Sequence, residues 1–144
     1  MTAETQSANE LLLVLPGKVT STSIEPPRNM DYEEWRQVLF RVVQLKSAAQ
    51  FWYGDLCLFA QSKFGEDSAQ GISETGYAEQ TMQKYCMVAN RIEPLMRVKE
   101  LSWSHHEVVA YATLDTQERI RWLEQARQEN WNVRELKEAL TDAG

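Results

Sequence analysis

Apolar residues recur at helical spacing through most of this sequence. From Asp31 onward, segments such as "WRQVLFRVVQL" and "FWYGDLCLFAQSKF" place apolar residues with the 3.6-residue period of an amphipathic helix. We therefore expect an all-α fold, in which residues 31–144 form a multi-helix domain.

Capping boxes predict where the helices start. In this motif a short polar N-cap side chain and a Glu or Gln three residues later each bond the other's backbone N–H. Five such pairs occur at helix-length spacing: Asp31 with Glu34, Ser47 with Gln50, Ser104 with Glu107, Asp115 with Glu118, and Asn132 with Glu135. Gly65 suits the end of the second helix. We expect one helix to begin near Asp31, another near Ser47, and C-terminal helices over residues 104–142.

Residues 1–30 differ from the rest of the chain. The first ten are polar, "LLLVLPGKVT" can form a short strand, and "STSIEPPRNM" is predicted to be a loop stiffened by Pro26 and Pro27. We interpret residues 1–30 as an extended N-terminal arm, suited to contact a partner or a second subunit.

A helix-turn-helix is predicted around residues 67–92. A short helix near residues 67–74 is followed by a turn through Thr75 and Gly76, and by a longer helix over about residues 78–92. Glycine suits a turn that needs a positive φ, and Pro94 stops the longer helix. One side of that helix is expected to face the core: Met82, Tyr85, Cys86, Ala89 and Ile92.

The other side of the longer helix carries polar and basic residues: Gln80, Gln83, Lys84, Met87 and Arg91. Glutamine can bond adenine in the major groove, and lysine or arginine can bond guanine or phosphate. Arg97 and Lys99 follow, where they could meet the DNA backbone. A solvated helix face would have the same composition, so this pattern alone leaves both interpretations open.

The two histidines of the chain are adjacent, in "LSWSHHEVVA". With Ser104 as N-cap, His105 and His106 become the first two helical residues, and Trp103 packs on Val108 as a hydrophobic staple. Neighbouring residues on a helix diverge by about 100°, so the pair is poorly placed to share a metal ion. A structural or surface role is favoured; phosphate contact at the helix N-terminus is the main alternative.

Charge and composition narrow the function classes. The 144-residue chain has a net charge of −6, yet residues 84–99 hold four bases and one acid, a local +3, whereas residues 101–144 hold eight acids and five bases, a local −3. Cys57 and Cys86 lie in apolar-periodic segments, and buried thiols explain them better than a disulfide. No signal peptide or membrane span is evident, so we expect a cytoplasmic protein.

Enzyme motifs are missing from the sequence. It contains no glycine-rich phosphate loop, no G-x-S-x-G elbow and no dinucleotide fingerprint. With 21 acidic residues, carboxylate pairs arise without any catalytic role. We expect no catalytic site, no cofactor and no metal.

Two longer segments resemble known families. "GYAEQTMQKYCMVANRIEP" followed by "ELSWSHHEVVA" resembles the ParB and KorB type of plasmid partition protein. "GDLCLFAQSKFGE", "LSWSHHEVVA" and "ENWNVRELKEAL" resemble the N-terminal helical domain of YhcG-like nucleases. The chain is also similar to small phage- and plasmid-borne proteins that carry "WWIGD" where this chain has "FWYGD". Together the resemblances cover roughly residues 32–140.

The resemblance implies an all-helical DNA-binding domain. Gln80, Thr81, Gln83 and Lys84 match the recognition helix, and Ser104 and His105 match a helix start near the DNA backbone. Neither the paired-arginine CTP motif nor a nuclease domain is present, so neither activity is implied. We therefore expect a non-enzymatic, sequence-specific binder of double-stranded DNA, a transcriptional regulator or partition-site binder, acting as a homodimer. The alternative is a protein-interaction module, such as a phage-encoded inhibitor or adaptor, that uses the arm and the acidic C-terminal helices.

Overall fold

The computed structural model describes residues 15–144 and is mostly helical in that range, as expected. A 3₁₀ turn at Pro94–Met96 lies between the third and fourth α-helices. The six α-helices of residues 15–144 are α1 (Tyr32–Phe64), α2 (Asp67–Glu74), α3 (Glu79–Arg91), α4 (Trp103–Tyr111), α5 (Thr116–Glu129) and α6 (Val133–Ala143). None of the helices in this range is both long enough and apolar enough to cross a lipid bilayer.

The chain divides into two compact units, residues 1–46 and 47–144. The described part of the first unit contains a small antiparallel sheet, in which β1 (Lys18–Val19) pairs with β2 (Ile24–Glu25). β1 lies within residues 11–20, for which a short strand is predicted, and β2 lies in a segment predicted to be loop. The rest of the predicted arm, residues 1–14, lies outside the described residues.

Helix α1 is a single helix of 33 residues, and the prediction of a new helix start at Ser47 is wrong. Its beginning is as predicted, because the Asp31 carboxylate accepts a hydrogen bond from the Glu34 backbone N–H at 2.8 Å. It ends before Gly65, whose φ is +59°. Ser47 and Gln50 match the capping motif, but no proline or glycine interrupts the helix there. The Ser47 hydroxyl instead accepts a hydrogen bond from the Trp103 backbone N–H at 3.2 Å.

Helices α2 and α3 form a helical hairpin at the predicted positions. Gly76 in the connecting turn has a φ of +82°, which explains the glycine. The Thr75 hydroxyl donates to the Ile72 carbonyl at 2.6 Å and closes the end of α2. The inward side of α3 is buried as expected, although Tyr85 is only partly so.

The core of the second unit surrounds α4, which packs against α3, α5 and α6. Burial of its apolar side chains removes them from water and provides the main driving force for folding. The buried cluster consists of Val88, Ile92, Leu101, Trp103, Val109, Ala110, Leu123, Ala126 and Leu136. A smaller buried cluster joins α1 to α3 through Cys57, Met82 and Cys86.

The starts of α5 and α6 are confirmed, but α4 starts two residues earlier than predicted. Reciprocal capping boxes at Asp115 and Asn132 open α5 and α6. The N-cap of α4 is Ser102, not Ser104, and His105 takes the place of the expected Glu in the box. Trp103 is therefore the first helical residue, so the predicted staple with Val108 is wrong. The Trp103 ring is buried and packs edge-on against Tyr85, with 5.1 Å between centroids.

Gly54 allows α1 and α3 to pack closely. A Cβ atom at this position would lie 2.3 Å from the Tyr85 carbonyl oxygen and 2.7 Å from the Ala89 Cβ. Both neighbours belong to α3, so any side chain at position 54 would force the two helices apart. Gly54 is required by packing and not by an unusual backbone conformation.

We expect Gly54→Ala to lower the free energy of unfolding by about 1–3 kcal/mol, because the added methyl overpacks the α1–α3 contact. Gly71→Ala is the matched control, since Gly71 is exposed in the middle of α2 and nothing lies within 4 Å of its Cβ position. That substitution should stabilise the protein by about 0.5–1 kcal/mol. Urea unfolding of both variants measures the difference; equal stabilities would show that α1 and α3 do not pack as described.

Candidate nucleic-acid interface

The outward side of α3 presents polar and basic side chains to solvent. Gln80, Gln83, Lys84 and Arg91 are all exposed. Because each residue turns the helix by 100°, Gln80, Lys84 and Arg91 lie within about 40° of one another around its axis. Met87, predicted on the same side, is half-buried and packs against the core, and Thr81 is also half-buried. The surface is thus a narrow polar stripe about three helical turns long.

Lys84 is held by an ion pair with Glu107 of α4. The ammonium lies 3.2 Å from the Glu107 carboxylate, which accepts its hydrogen bond and raises the pKa of Lys84 above its ordinary value. The side chain remains substantially exposed. An ammonium has three N–H donors, so Lys84 can bind a further anion while it keeps its contact with Glu107.

Arg91 also contacts α4. Its Nη1 donates to the Ala110 backbone carbonyl at 2.8 Å, which leaves the other guanidinium N–H groups for solvent or ligand. Gln83 donates to Glu79 on its own helix at 3.3 Å. The stripe therefore offers one ammonium, one guanidinium and two amides, a set that can bond base edges and phosphates.

The Arg97 side chain is directed into the fold, although the sequence predicts that it contacts the DNA backbone. Its guanidinium makes two 2.8 Å hydrogen bonds to the Asp55 carboxylate and one to the Ile92 carbonyl at 2.8 Å. It also lies over the Phe51 ring, 4.7 Å from the centroid. Only 13% of its side chain is exposed. Arg97 thus joins α1 to the segment after α3, whereas Lys99 remains exposed.

His105 is bonded at both ring nitrogens. The Ser102 N–H donates to Nδ1 at 3.1 Å, so the proton is on Nε2, which donates to the Trp131 carbonyl at 2.8 Å. The ring therefore links the start of α4 to the connection between α5 and α6. Ser104, half-buried within the first turn, no longer has the capping role predicted for it. Neither the imidazole of His105 nor the cap is free to bind a phosphate.

His106 is fully buried and carries its proton on the opposite nitrogen. The Val98 N–H donates to Nε2 at 2.9 Å, and Nδ1–H donates to the Ser102 carbonyl at 2.7 Å. Burial lowers the pKa of His106 to about 4, and the nearby charge of Arg97 acts in the same direction. The imidazole is therefore neutral at physiological pH and has a structural role, the interpretation favoured by the sequence.

Cys57 and Cys86 are buried free thiols that lie side by side between α1 and α3. Burial, together with the neighbouring Cys57, raises the pKa of Cys86 to about 12, so its thiolate is scarcely populated at neutral pH. Among residues 15–144, no group of three or more His, Cys, Asp or Glu side chains is arranged to hold a metal ion.

Sequence reasoning missed the Ser102–His105 box and the Arg97–Asp55 pair. The first has a local signal, a serine three residues before a histidine, because an imidazole Nδ1 can accept the N-cap N–H as a Glu carboxylate does. The second joins residues 42 positions apart and has no local signal. A net local charge of +3 around Arg97 gives no indication that one of the cations is buried.

The chain is similar to the transcriptional regulator NovE of Streptomyces niveus. The two sequences are 30% identical over 119 residues, which make up 83% of this chain and 54% of NovE. This chain thus spans about half the length of NovE. No protein-family model matches the chain, and no solved structure matches it significantly. The resemblance to partition proteins and to YhcG-like nucleases remains a prediction.

His106 should make the stability of the protein depend on pH. Because the folded pKa of about 4 lies below the unfolded value of about 6.5, the unfolded chain takes up a proton first as the pH falls. The stability that results from this difference in pKa is fully present above pH 6.5 and is lost as the pH falls toward 4. When the pH falls from 7 to 5, we expect the titration of His106 to lower the free energy of unfolding by about 2 kcal/mol.

His106→Gln removes the titrating group and tests this expectation. The variant should be less stable at pH 7, but its unfolding free energy should fall by about 2 kcal/mol less than that of the wild type between pH 7 and pH 5. Other titrating groups are common to both proteins and cancel in the comparison. An NMR titration in which the wild-type His106 ring becomes protonated above pH 6 would contradict the neutral, buried assignment.

Proposed function

We propose that this protein is a non-enzymatic transcriptional regulator that binds specific sites in double-stranded DNA, with α3 as the helix that enters the major groove. The similarity to the regulator NovE over 83% of the chain is the observation that carries this proposal. The α2–α3 hairpin, with its polar stripe directed to solvent, supplies a surface of suitable chemistry.

The stripe residues take distinct roles in this proposal. Gln80 and Gln83 bond adenine edges, which present an acceptor and a donor that match a side-chain amide. Lys84 and Arg91 bond guanine or phosphate oxygens. Lys99 contacts the backbone beyond the end of α3. We leave Arg97, Ser104 and His105 out of the interface because internal hydrogen bonds or partial burial hold them in the fold.

The positive charges at the stripe allow the chain to bind DNA although the chain as a whole is acidic. The net charge of −6 opposes general attraction to DNA, so the affinity must arise from the few cations at the stripe. Such a surface is suited to modest non-specific binding and to discrimination through base contacts. A twofold dimer would present two copies of α3 to half-sites about one DNA turn apart.

Selection from random duplex DNA by the full chain tests the proposal, with the enriched pool rebound at several salt concentrations. We expect a repeated or palindromic motif and an affinity that falls steeply as salt rises. Lys84→Ala and Arg91→Ala should each weaken binding, and loss of a phosphate contact should reduce the log–log salt slope by about 1. Gln80→Ala should relax the sequence preference at one position.

Lys137→Ala is the matched control, because Lys137 is an exposed lysine on α6, outside the stripe. It should bind the selected DNA as the wild type does. If the Lys84→Ala, Arg91→Ala double variant folds and binds with wild-type affinity, α3 is not the recognition helix. If no DNA motif is enriched, and a protein partner instead remains bound to the chain after nuclease treatment, the alternative of a protein-interaction module is favoured.

A further inference from the structure

The ion pair between Lys84 and Glu107 joins two helices and remains open to solvent. Its nitrogen and oxygen atoms lie 3.2 Å apart, and the two side chains are 45% and 24% exposed. Three other exposed ion pairs join residues three or four positions apart on one helix, as is ordinary on a solvated helix surface: Arg36 with Glu33, Arg127 with Glu124, and Arg134 with Glu138. The pair between α3 and α4 differs from these because its partners come from separate elements.

Lys84 lies in the first half of α3 and in the middle of the polar stripe. Gln80 lies one turn before it, and Arg91 lies two turns after it on the same side of the helix. Recognition helices contact base edges mainly through residues near their N-termini. Lys84 is therefore placed to meet a base pair, whereas Arg91, in the last turn of α3, is placed to meet the DNA backbone.

The Glu107 carboxylate makes a phosphate an unfavourable partner for Lys84. A phosphate oxygen bonded to the Lys84 ammonium would also lie close to that carboxylate, and the two negative charges would repel each other. The major-groove edge of a base pair has no net charge and presents hydrogen-bond acceptors beside donors. Such an edge can satisfy the ammonium and the carboxylate together.

We propose that Lys84 and Glu107 together recognise one G·C base pair in the major groove. Lys84 donates hydrogen bonds to guanine O6 and N7, and Glu107 accepts a hydrogen bond from cytosine N4. The inference rests on the proposed function, because it assigns a base preference to the surface that is proposed to enter the groove.

The spacing of the ion pair is similar to the spacing of the groups on the base pair. Guanine O6 and cytosine N4 are joined by a Watson–Crick hydrogen bond, so they lie about 2.9 Å apart. The Lys84 Nζ and Glu107 Oε2 atoms lie 3.2 Å apart. The protein donor can therefore face the base-pair acceptor while the protein acceptor faces the base-pair donor. Because the ammonium has three donors, it can keep its contact with Glu107 at the same time.

The other base pairs fit this arrangement less well. In C·G and A·T pairs the order of donor and acceptor is reversed, so the Lys84 ammonium would face an amino group. In a T·A pair the order is the same, since thymine O4 accepts and adenine N6 donates. However, the acceptor N7 of adenine would then lie beside the Glu107 carboxylate, and the thymine methyl would lie beside Lys84. The G·C pair gives Lys84 two acceptors and gives Glu107 a donor without an opposing group.

Exchange of the two charges tests the proposal, with the full chain as the protein and random-sequence duplex DNA as the probe. The Lys84→Glu, Glu107→Lys double variant retains both charges but swaps the positions of donor and acceptor. We expect the wild type to enrich a motif with a G·C position that the double variant inverts to C·G. Each protein should prefer its own base pair at that position about tenfold, and the other positions should be unchanged.

The Arg134→Glu, Glu138→Arg double variant is the matched control, since this exposed ion pair lies on α6, outside the stripe. It should enrich the wild-type motif, and circular dichroism checks that all variants remain helical. If the Lys84–Glu107 exchange variant folds and enriches the same motif as the wild type, the inference is overturned while the proposed function stands. If the wild type enriches no motif, the proposed function fails, and this inference fails with it.

A second measurement does not require the exchange variant to fold. Each guanine of the wild-type motif is replaced in turn by 7-deazaguanine, in which a carbon takes the place of N7. At one guanine the replacement should weaken wild-type binding about fivefold. Lys84→Ala should bind that duplex and the unmodified duplex equally, because the side chain that contacts N7 is gone. If the wild type is insensitive at every guanine, or Lys84→Ala is as sensitive as the wild type, Lys84 does not recognise guanine.

Discussion

A neutral, fully buried histidine holds the first turn of α4 to the segment that precedes it, and α4 is the helix around which the second unit is built. His106 accepts a hydrogen bond from the Val98 N–H and donates one to the Ser102 carbonyl. The ring therefore joins the segment that follows α3 to the first turn of α4. Because α4 packs against α3, α5 and α6, the orientation of this turn affects every helical contact in that core. A buried polar ring is tolerated there only because both nitrogens are satisfied.

Two other polar contacts extend this arrangement. His105 ties the same turn to the Trp131 carbonyl, and the Arg97 guanidinium ties the preceding segment to Asp55 of α1. The adjacent histidines need opposite tautomers, since one accepts at Nδ1 and the other accepts at Nε2. Residues whose types suggest catalysis, metal binding or phosphate contact are thus used to hold the fold. The chemistry left at the surface is the polar stripe of α3.

Local signals predicted the elements well where one residue determines the conformation. The boundaries of α2, the glycine turn and the capped starts of α5 and α6 follow from Gly76, Asp115 and Asn132. Prediction failed where distant contacts or an equivalent residue type decided the outcome. Ser47 matches the capping motif but accepts a hydrogen bond from Trp103, which is distant in the sequence. His105 makes the hydrogen bond to the N-cap N–H that Glu makes in the usual motif. The polar face of α3 was also predictable from periodicity. The inward position of Arg97 was not, because its partner lies on another helix.

Lys84 and Arg91 share a feature beyond their charge, namely that both rest on α4. Lys84 contacts the Glu107 carboxylate, and Arg91 contacts the Ala110 carbonyl. Long cationic side chains normally lose considerable rotamer freedom when a ligand fixes them. Here the same core that positions α4 already restricts both side chains. A bound anion would therefore cost this surface less side-chain entropy than it would cost two unrestrained cations, and changes inside the α4 core would alter affinity without touching the ligand.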